Sequence, residues 1–280
     1  MSTKTVSELL LNGVSAGGRG ASGAGWIAVY LTLLAAWVAA WLMDPTAALP
    51  EDLRGLGVET LRALCLTAAR DAALFQLWLM WAVMGAAMML PTAIPALRAF
   101  AALSETAAAG GAEPRPGLAL GALAAGYLAV WAGFAAVAAA AQAALSAAGW
   151  IDLFGRSTSL AFTAALLALA GLWQFSALKD ACLTRCRAPG AWFVARWQPG
   201  PRPAFAMGLN LGAHCLGCCW ALMGLALIGG TMSLAWMGAA TLLMTLEKLP
   251  DIGRPLTRPL GAGLLLAATG CALGAATGAG

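Results

Sequence analysis

The feature that most constrains this chain is the recurrence of long apolar stretches along its 280 residues. Seven can be drawn, at roughly 24–43, 73–91, 117–147, 158–178, 205–228, 231–247 and 258–277. Each is near the ~20 residues that an α-helix needs to cross ~30 Å of hydrocarbon. Composition agrees: 61% of the residues are hydrophobic and 10% are charged, against roughly 25% charged in soluble domains. With a mean hydropathy of +0.81, most of this surface is built to face lipid. The expected fold class is all-α, a polytopic (multi-pass) transmembrane helix bundle of about seven spans. Residues 1–23 are polar and rich in Gly and Ser, which predicts a flexible cytoplasmic tail. A single transmembrane helical domain, 24–280, follows. The first apolar stretch comes too late and runs too long for the core of a cleaved signal peptide.

Orientation follows from the basic residues. With the N-terminus inside, Lys4, Arg19, Arg98, Arg115, Lys179, Arg185, Arg187, Arg196, Arg202, Lys248, Arg254 and Arg258 fall on the cytoplasmic side. Arg54, Arg62, Arg70 and Arg156 fall outside. That asymmetry predicts N-terminus in and C-terminus out. The net charge of +4 is thereby used up on topology, and no nucleic-acid partner is implied; the lipid bilayer is the partner the composition demands. Between the first two spans, the stretch from Pro50 has an amphipathic pattern, with Glu51 and Asp52 suited to a helix N-terminus. It is expected to rest on the outer headgroups.

The chemistry concentrates in the fifth stretch, MGLNLGAHCLGCCWALMG, residues 207–224. At 100° per residue, His214, Met207, Cys218, Cys215 and Cys219 share one face of a helix. They also fall near the middle of the span. His214 is the sole histidine, and ionisable groups at that depth mark functional sites by default. Thiolate and thioether donors are soft and suit Cu(I), with Zn(II) possible where imidazole joins them. Packed cysteines and dithiol redox chemistry are the competing readings of the same cluster.

Other stretches could add ligands. Met80, Met84 and Met88 recur every fourth residue in the second span, a spacing that serves packing as readily as ligation. Met232, Met237 and Met244 share a face with Glu247, which is expected to pair with a basic residue at the cytoplasmic end. Cys182 and Cys186 lie one turn apart before Pro189, with Lys179, Arg185 and Arg187 around them. Such surroundings favour reactive thiolates and predict a cytoplasmic-side pair that could acquire metal or hand it over. The odd total of seven cysteines suits reduced thiols or metal ligands better than a disulfide framework. Gly208 with Gly212, and Gly270 with Gly274, form small-xxx-small pairs for close helix packing.

The segments MWAVMGAAMMLPTAIP (80–95), QFSALKDACLTRCRAP (174–189) and GAHCLGCCWALM with its continuation to Pro250 resemble a bacterial family of predicted metal-binding integral membrane proteins. It is a domain of unknown function whose most specific motif is C-x-x-C-C-W. The resemblance covers roughly 75–260. It implicates Cys215, Cys218 and Cys219 first, then a turn at Met88–Pro91, the pair Cys182/Cys186, and Glu247-Lys248. In that family the histidine falls about a turn before the first cysteine, where this chain has Leu211; His214 stands on the same side of the helix.

These readings converge on a protein of the bacterial inner membrane. It would bind a soft metal ion, Cu(I) first and Zn(II) second, at a mid-membrane Cys/His cluster, for transport or for delivery to a metallochaperone or membrane metalloenzyme. The alternatives are a membrane thiol-disulfide oxidoreductase and a non-catalytic scaffold subunit of a membrane complex. No nucleotide-binding loop, HExxH motif or nucleophile elbow occurs, so enzymatic activity stays open.

Overall fold

Helix boundaries follow from caps that the sequence supplies. The computed structural model describes residues 22–44, 74–152, 154–231 and 233–277. Residues 1–21 of the expected tail, the amphipathic connector after Pro50, Cys65 and Met232 lie outside the described residues. Among the described residues there is no strand, only an isolated bridge between Ile151 and Ser157. The helices are α1 (Gly23–Met43), α2 (Leu74–Ala109), α3 (Pro116–Ala147), α4 (Leu160–Trp173), α5 (Ala177–Arg187), α6 (Pro189–Arg196), α7 (Pro201–Gly224), α8 (Ala226–Gly229), α9 (Leu234–Lys248) and α10 (Pro250–Ala276).

Serine hydroxyls cap α4, α5 and α9, where Ser159, Ser176 and Ser233 accept from the backbone N–H of Phe162, Leu178 and Trp236. Each cap satisfies a donor that the first turn would otherwise leave unpaired. Proline opens α3, α6, α7 and α10, where its missing N–H costs nothing. In α5, Asp180 stands in the first turn and Arg185 and Arg187 in the last, matching the helix dipole at both ends.

Five helices are long and apolar enough to cross a membrane: α1, α2, α3, α10, and α7 continued through α8 to Gly229. The pair α4 and α5 would make a sixth, bent by 64°. The all-α membrane bundle is therefore the fold. The expected count of seven is not reached on length, because α9 has 15 residues, about 22 Å at 1.5 Å per residue. The expected fourth span, 158–178, is the broken pair: α4 stops at Trp173, and the chain turns before α5 begins.

A second departure lies in α2. The residues Met88–Pro91 make no turn; the helix runs through Pro91 and Pro95 to Ala109. Proline breaks helices by leaving backbone groups unpaired, and membrane helices tolerate it where neighbours satisfy them. The carbonyls these prolines leave without an N–H donor are those of Ala87 and Pro91, four residues earlier in each case; between them, the Met89 carbonyl accepts from the Thr92 hydroxyl at 2.9 Å and from the Tyr127 hydroxyl of α3.

Contacts give the directions. Ser22 bonds Glu105 near one end of the α1/α2 pair, while Asp44 accepts from Leu234 N–H near the other. Thr231 reaches Met80 and Lys248 reaches Thr92, so α9 runs alongside α2 in the same direction. Gly171 lies against Gly261 and Leu265, and Gly274 against Leu160. Hence α10 runs antiparallel to α4 and finishes beside the start of α4.

A tight seam joins α3 to α7. A Cβ added at Gly208 would lie 2.1 Å from the Leu123 carbonyl oxygen, and one at Gly126 would lie 2.2 Å from that of Phe205. At Gly212 the nearest atom would be the Tyr127 carbonyl oxygen, at 3.0 Å. The pair Gly208/Gly212 thus does what its spacing implies, letting backbones touch. The pair Gly270/Gly274 does not: Gly270 faces open space, and only Gly274 has a neighbour, Leu160. Changing Gly208 to Leu should force α3 and α7 apart at a cost of at least about 1–3 kcal/mol, seen as a lower midpoint of thermal unfolding in detergent. Gly270→Leu should leave that midpoint unchanged.

Candidate metal centre

Cys215 lies midway between Pro201 and Gly229, the ends of the span formed by α7 and α8. About one turn of helix brings Cys218 and Cys219 to the same face. All three are buried, at 2%, 0% and 1% exposure, and their sulfurs lie within 4.8 Å of one another. Cys218 and Cys219 have sulfurs 3.3 Å apart, and the Cys218 thiol also reaches the Cys215 carbonyl at 3.1 Å. The cluster faces the bundle interior, which is where ionisable groups at this depth belong. All three are free cysteines.

Three other helices close the site around Cys215. From α9, the Lys248 ammonium donates to the Cys215 sulfur at 3.0 Å and to the Thr92 hydroxyl of α2 at 2.5 Å. From α3, the Tyr127 hydroxyl lies 2.9 Å from the same sulfur and 3.0 Å from the Met89 carbonyl. A carbonyl can only accept, so when Tyr127 donates to Met89 its oxygen is left to accept from the Cys215 thiol. A positive charge therefore sits directly on the sulfur a metal would use. Lys248 and Tyr127 are both buried, and they come to the Cys215 sulfur from two different helices.

The α4/α5 break brings a second set of sulfurs. The Trp173 indole N–H, just before the break, donates to the Gly217 carbonyl at 3.1 Å. Beyond the break, Cys182 presses on Gly217 so closely that a Cβ there would lie 2.6 Å from its sulfur. Glycine at this position admits α5 to the surface of α7. One turn on stands the half-buried Cys186. Of the two cysteines expected at the cytoplasmic end of the fourth span, Cys182 thus packs against α7 beside Cys218. The same helix is locked to α9 by a buried ion pair, Lys179 Nζ to Glu247 at 2.9 and 3.1 Å, with exposures of 0% and 1%. Arg187 adds bonds to the Glu247 carbonyl and the Thr257 hydroxyl. Glu247 is therefore paired with a basic residue, as its position suggested.

The remaining candidates are placed differently. His214 is not part of the trio; its Nδ1 lies 2.7 Å from the Asn210 carbonyl one turn earlier. Met80, Met84 and Met88 are all buried in the core. Met80 accepts from the Thr231 hydroxyl at 3.9 Å, at the start of α2. Met207 is buried, and it lines a cavity of about 420 Å³ with Trp192, Arg196 and Asn210. The sequence reading missed Tyr127 and Thr92, and it reached Lys248 only through the family resemblance. A buried tyrosine in an Ala/Leu-rich span was the one signal available for Tyr127.

The donor set fits a soft ion. Three thiols without a carboxylate or carbonyl cage suit Cu(I) and leave hard ions without their oxygens. No curated protein and no solved structure matches this chain. A family model, PpoB2, described as a copper chaperone, does match, and its match runs over residues 78–271, well past half of the sequence and through both cysteine clusters; on that ground the chain belongs to the copper chaperone PpoB2 family.

Proposed function

We propose that this protein binds Cu(I) at Cys215, Cys218 and Cys219 in the middle of the bacterial inner membrane and passes it on, across the bilayer or to a partner metalloprotein. The observation that carries this reading is the buried sulfur trio within 4.8 Å. Two or three sulfurs satisfy Cu(I), whereas a structural Zn(II) site asks for four ligands. His214, the natural fourth, is turned to the Asn210 carbonyl. Cys182 and Cys186 load the trio by ligand exchange, since the Cys182 sulfur lies against Gly217, next in sequence to Cys218. Lys248 supplies the counter-charge: Cu(I) held by two thiolates is an anion, and a buried anion needs a partner.

The thiol-disulfide alternative draws on the same sulfurs and predicts a dithiol/disulfide shift in thiol-trapping gels. The copper reading predicts bound metal. In protein purified in detergent, Cys215→Ser and Cys218→Ser should each remove most of the copper, since a hydroxyl is a poor ligand for a soft ion. His214→Ala should weaken binding less, and Cys271→Ser not at all. Undiminished copper in the Cys215→Ser, Cys218→Ser double variant would overturn the reading.

Replacing Lys248 with Met removes the counter-charge and keeps the bulk. Cu(I) affinity should fall about tenfold or more, roughly 1.4 kcal/mol per tenfold, with Lys248→Arg intermediate. Competition against a Cu(I) chelator measures it.

Topology is part of the proposal. If α9 crosses as a short seventh span beside α2, the N-terminus lies inside and the C-terminus outside. Reporter fusions should then place 100–116 and 185–203 in the cytoplasm and the C-terminus outside. A cytoplasmic C-terminus would remove α9 from the count of spans.

A further inference from the structure

We infer that the buried methionines of α2 and α9 form a thioether path along which Cu(I) leaves the cysteine trio; the inference deepens the copper reading above and rests on it. Two contacts fix the register of these helices. The Lys248 ammonium donates to Thr92 at one end of the pair, and the Thr231 hydroxyl reaches the Met80 sulfur at the other. The helices run in the same direction between them, so heights along one can be read against the other. Met88 and Met244 each precede the Thr92–Lys248 bond by four residues, about 6 Å at 1.5 Å per residue. Met84 stands about 12 Å from that bond, and Met80 and Met237 about 18 and 17 Å. All five are buried. On α9, Met237, Met244 and Lys248 fall within about 40° of one face. On α2, the methionines follow the i+4 row along which helices pack.

Sulfur therefore recurs about every 6 Å from the Lys248 end, which touches Cys215, back to the start of α2. An apolar seam needs no sulfur, since leucine fills much the same volume. Chemistry gives the row its use. Thioethers are soft but neutral, so they hold Cu(I) less firmly than thiolates and let it move on. At each step a bond from Cu(I) to the next methionine sulfur forms as the one behind it breaks. Copper stays Cu(I), no electron moves, and the thioethers have no proton to exchange. When the ion leaves, one thiolate of the trio keeps the Lys248 ammonium as its counter-charge. A second regains the proton it gave up on binding. The helix of the other cysteine pair, α5, meets α9 at its last turn through Lys179 and Glu247, and the methionines run away from that turn.

The test places the full chain in lipid vesicles that enclose a fluorescent Cu(I) chelator, with buffered Cu(I) outside and no oxygen. Wild type should fill the chelator faster than protein-free vesicles do. Met84 is alone at its height, so Met84→Leu opens a gap of about 12 Å and should slow filling at least tenfold. Met88→Leu and Met244→Leu share a height and should each slow it less than the two changes together. Met223→Leu, at a buried methionine of α7 outside the row, should change nothing. Every variant should bind as much copper per chain in detergent as wild type, which also shows that its trio is folded. Filling at the wild-type rate by Met84→Leu overturns the inference. So does a wild type that binds copper but fills no chelator, and that result leaves the single-site reading standing. A wild type that binds no copper overturns the copper reading itself.

Discussion

The seam between α3 and α7 sets the position of everything at the centre. Gly126, Gly208 and Gly212 remove the side chains that would hold these helices a normal distance apart. With the backbones in contact, Tyr127 of α3 is delivered to Cys215 of α7 at 2.9 Å. Lipid gives helices no hydrophobic reason to associate, so packing of this kind is the available source of cohesion. The same economy explains the abundant alanine of α3, whose buried face includes Ala119, Ala124, Ala135 and Ala139. Large residues would fill space; small ones let the polar groups of neighbouring helices meet.

Around that seam the structure accepts costly burial. Lys179, Glu247 and Lys248 are all withdrawn from water, and each must be compensated. Removing one partner of such a pair costs about 3–5 kcal/mol, because the other charge stays buried and alone. Lys179 and Glu247 compensate each other. Among the described residues, Lys248 donates to a hydroxyl and a sulfur, Thr92 and Cys215. An ion pair that fixes α9 against α5, adjacent in sequence to a lysine aimed at the cysteines, holds that lysine on target.

How much of this could be read from the residues depended on whether the signal was local. The cysteine trio was legible, because three thiols within five residues of a helix must share a face and a membrane helix must hide them. The role of Glu247 was legible for a similar reason, as a carboxylate near basic residues at a helix end. His214 shares the arc in projection, but it stands at the edge, where its ring turns back to the Asn210 carbonyl. Face alone does not fix orientation. Tyr127 and Thr92 were hidden because their importance comes from helices that meet only in three dimensions. The methionines of α2 sit in the core at their predicted spacing, and spacing cannot tell ligand from filler. The span count was vulnerable because hydropathy measures apolar length, and α9 is short while α4 is broken.

That break has the largest chemical consequence. Continued straight from Leu160 to Arg187, α4 and α5 would extend roughly 40 Å at 1.5 Å per residue, and Cys182 and Cys186 would leave the hydrocarbon at its edge. The 64° bend turns them back onto α7 instead. A break inside a membrane is tolerated only where the protein satisfies the freed backbone groups. Here Ser176 caps the new helix, and the Trp173 indole ties the old one to the Gly217 carbonyl. The arrangement resembles the discontinuous helices on which transporters build their ion sites. What the bend achieves here is contact between the helix of the second cysteine pair and that of the trio, with the Cys182 sulfur against Gly217, next in sequence to Cys218.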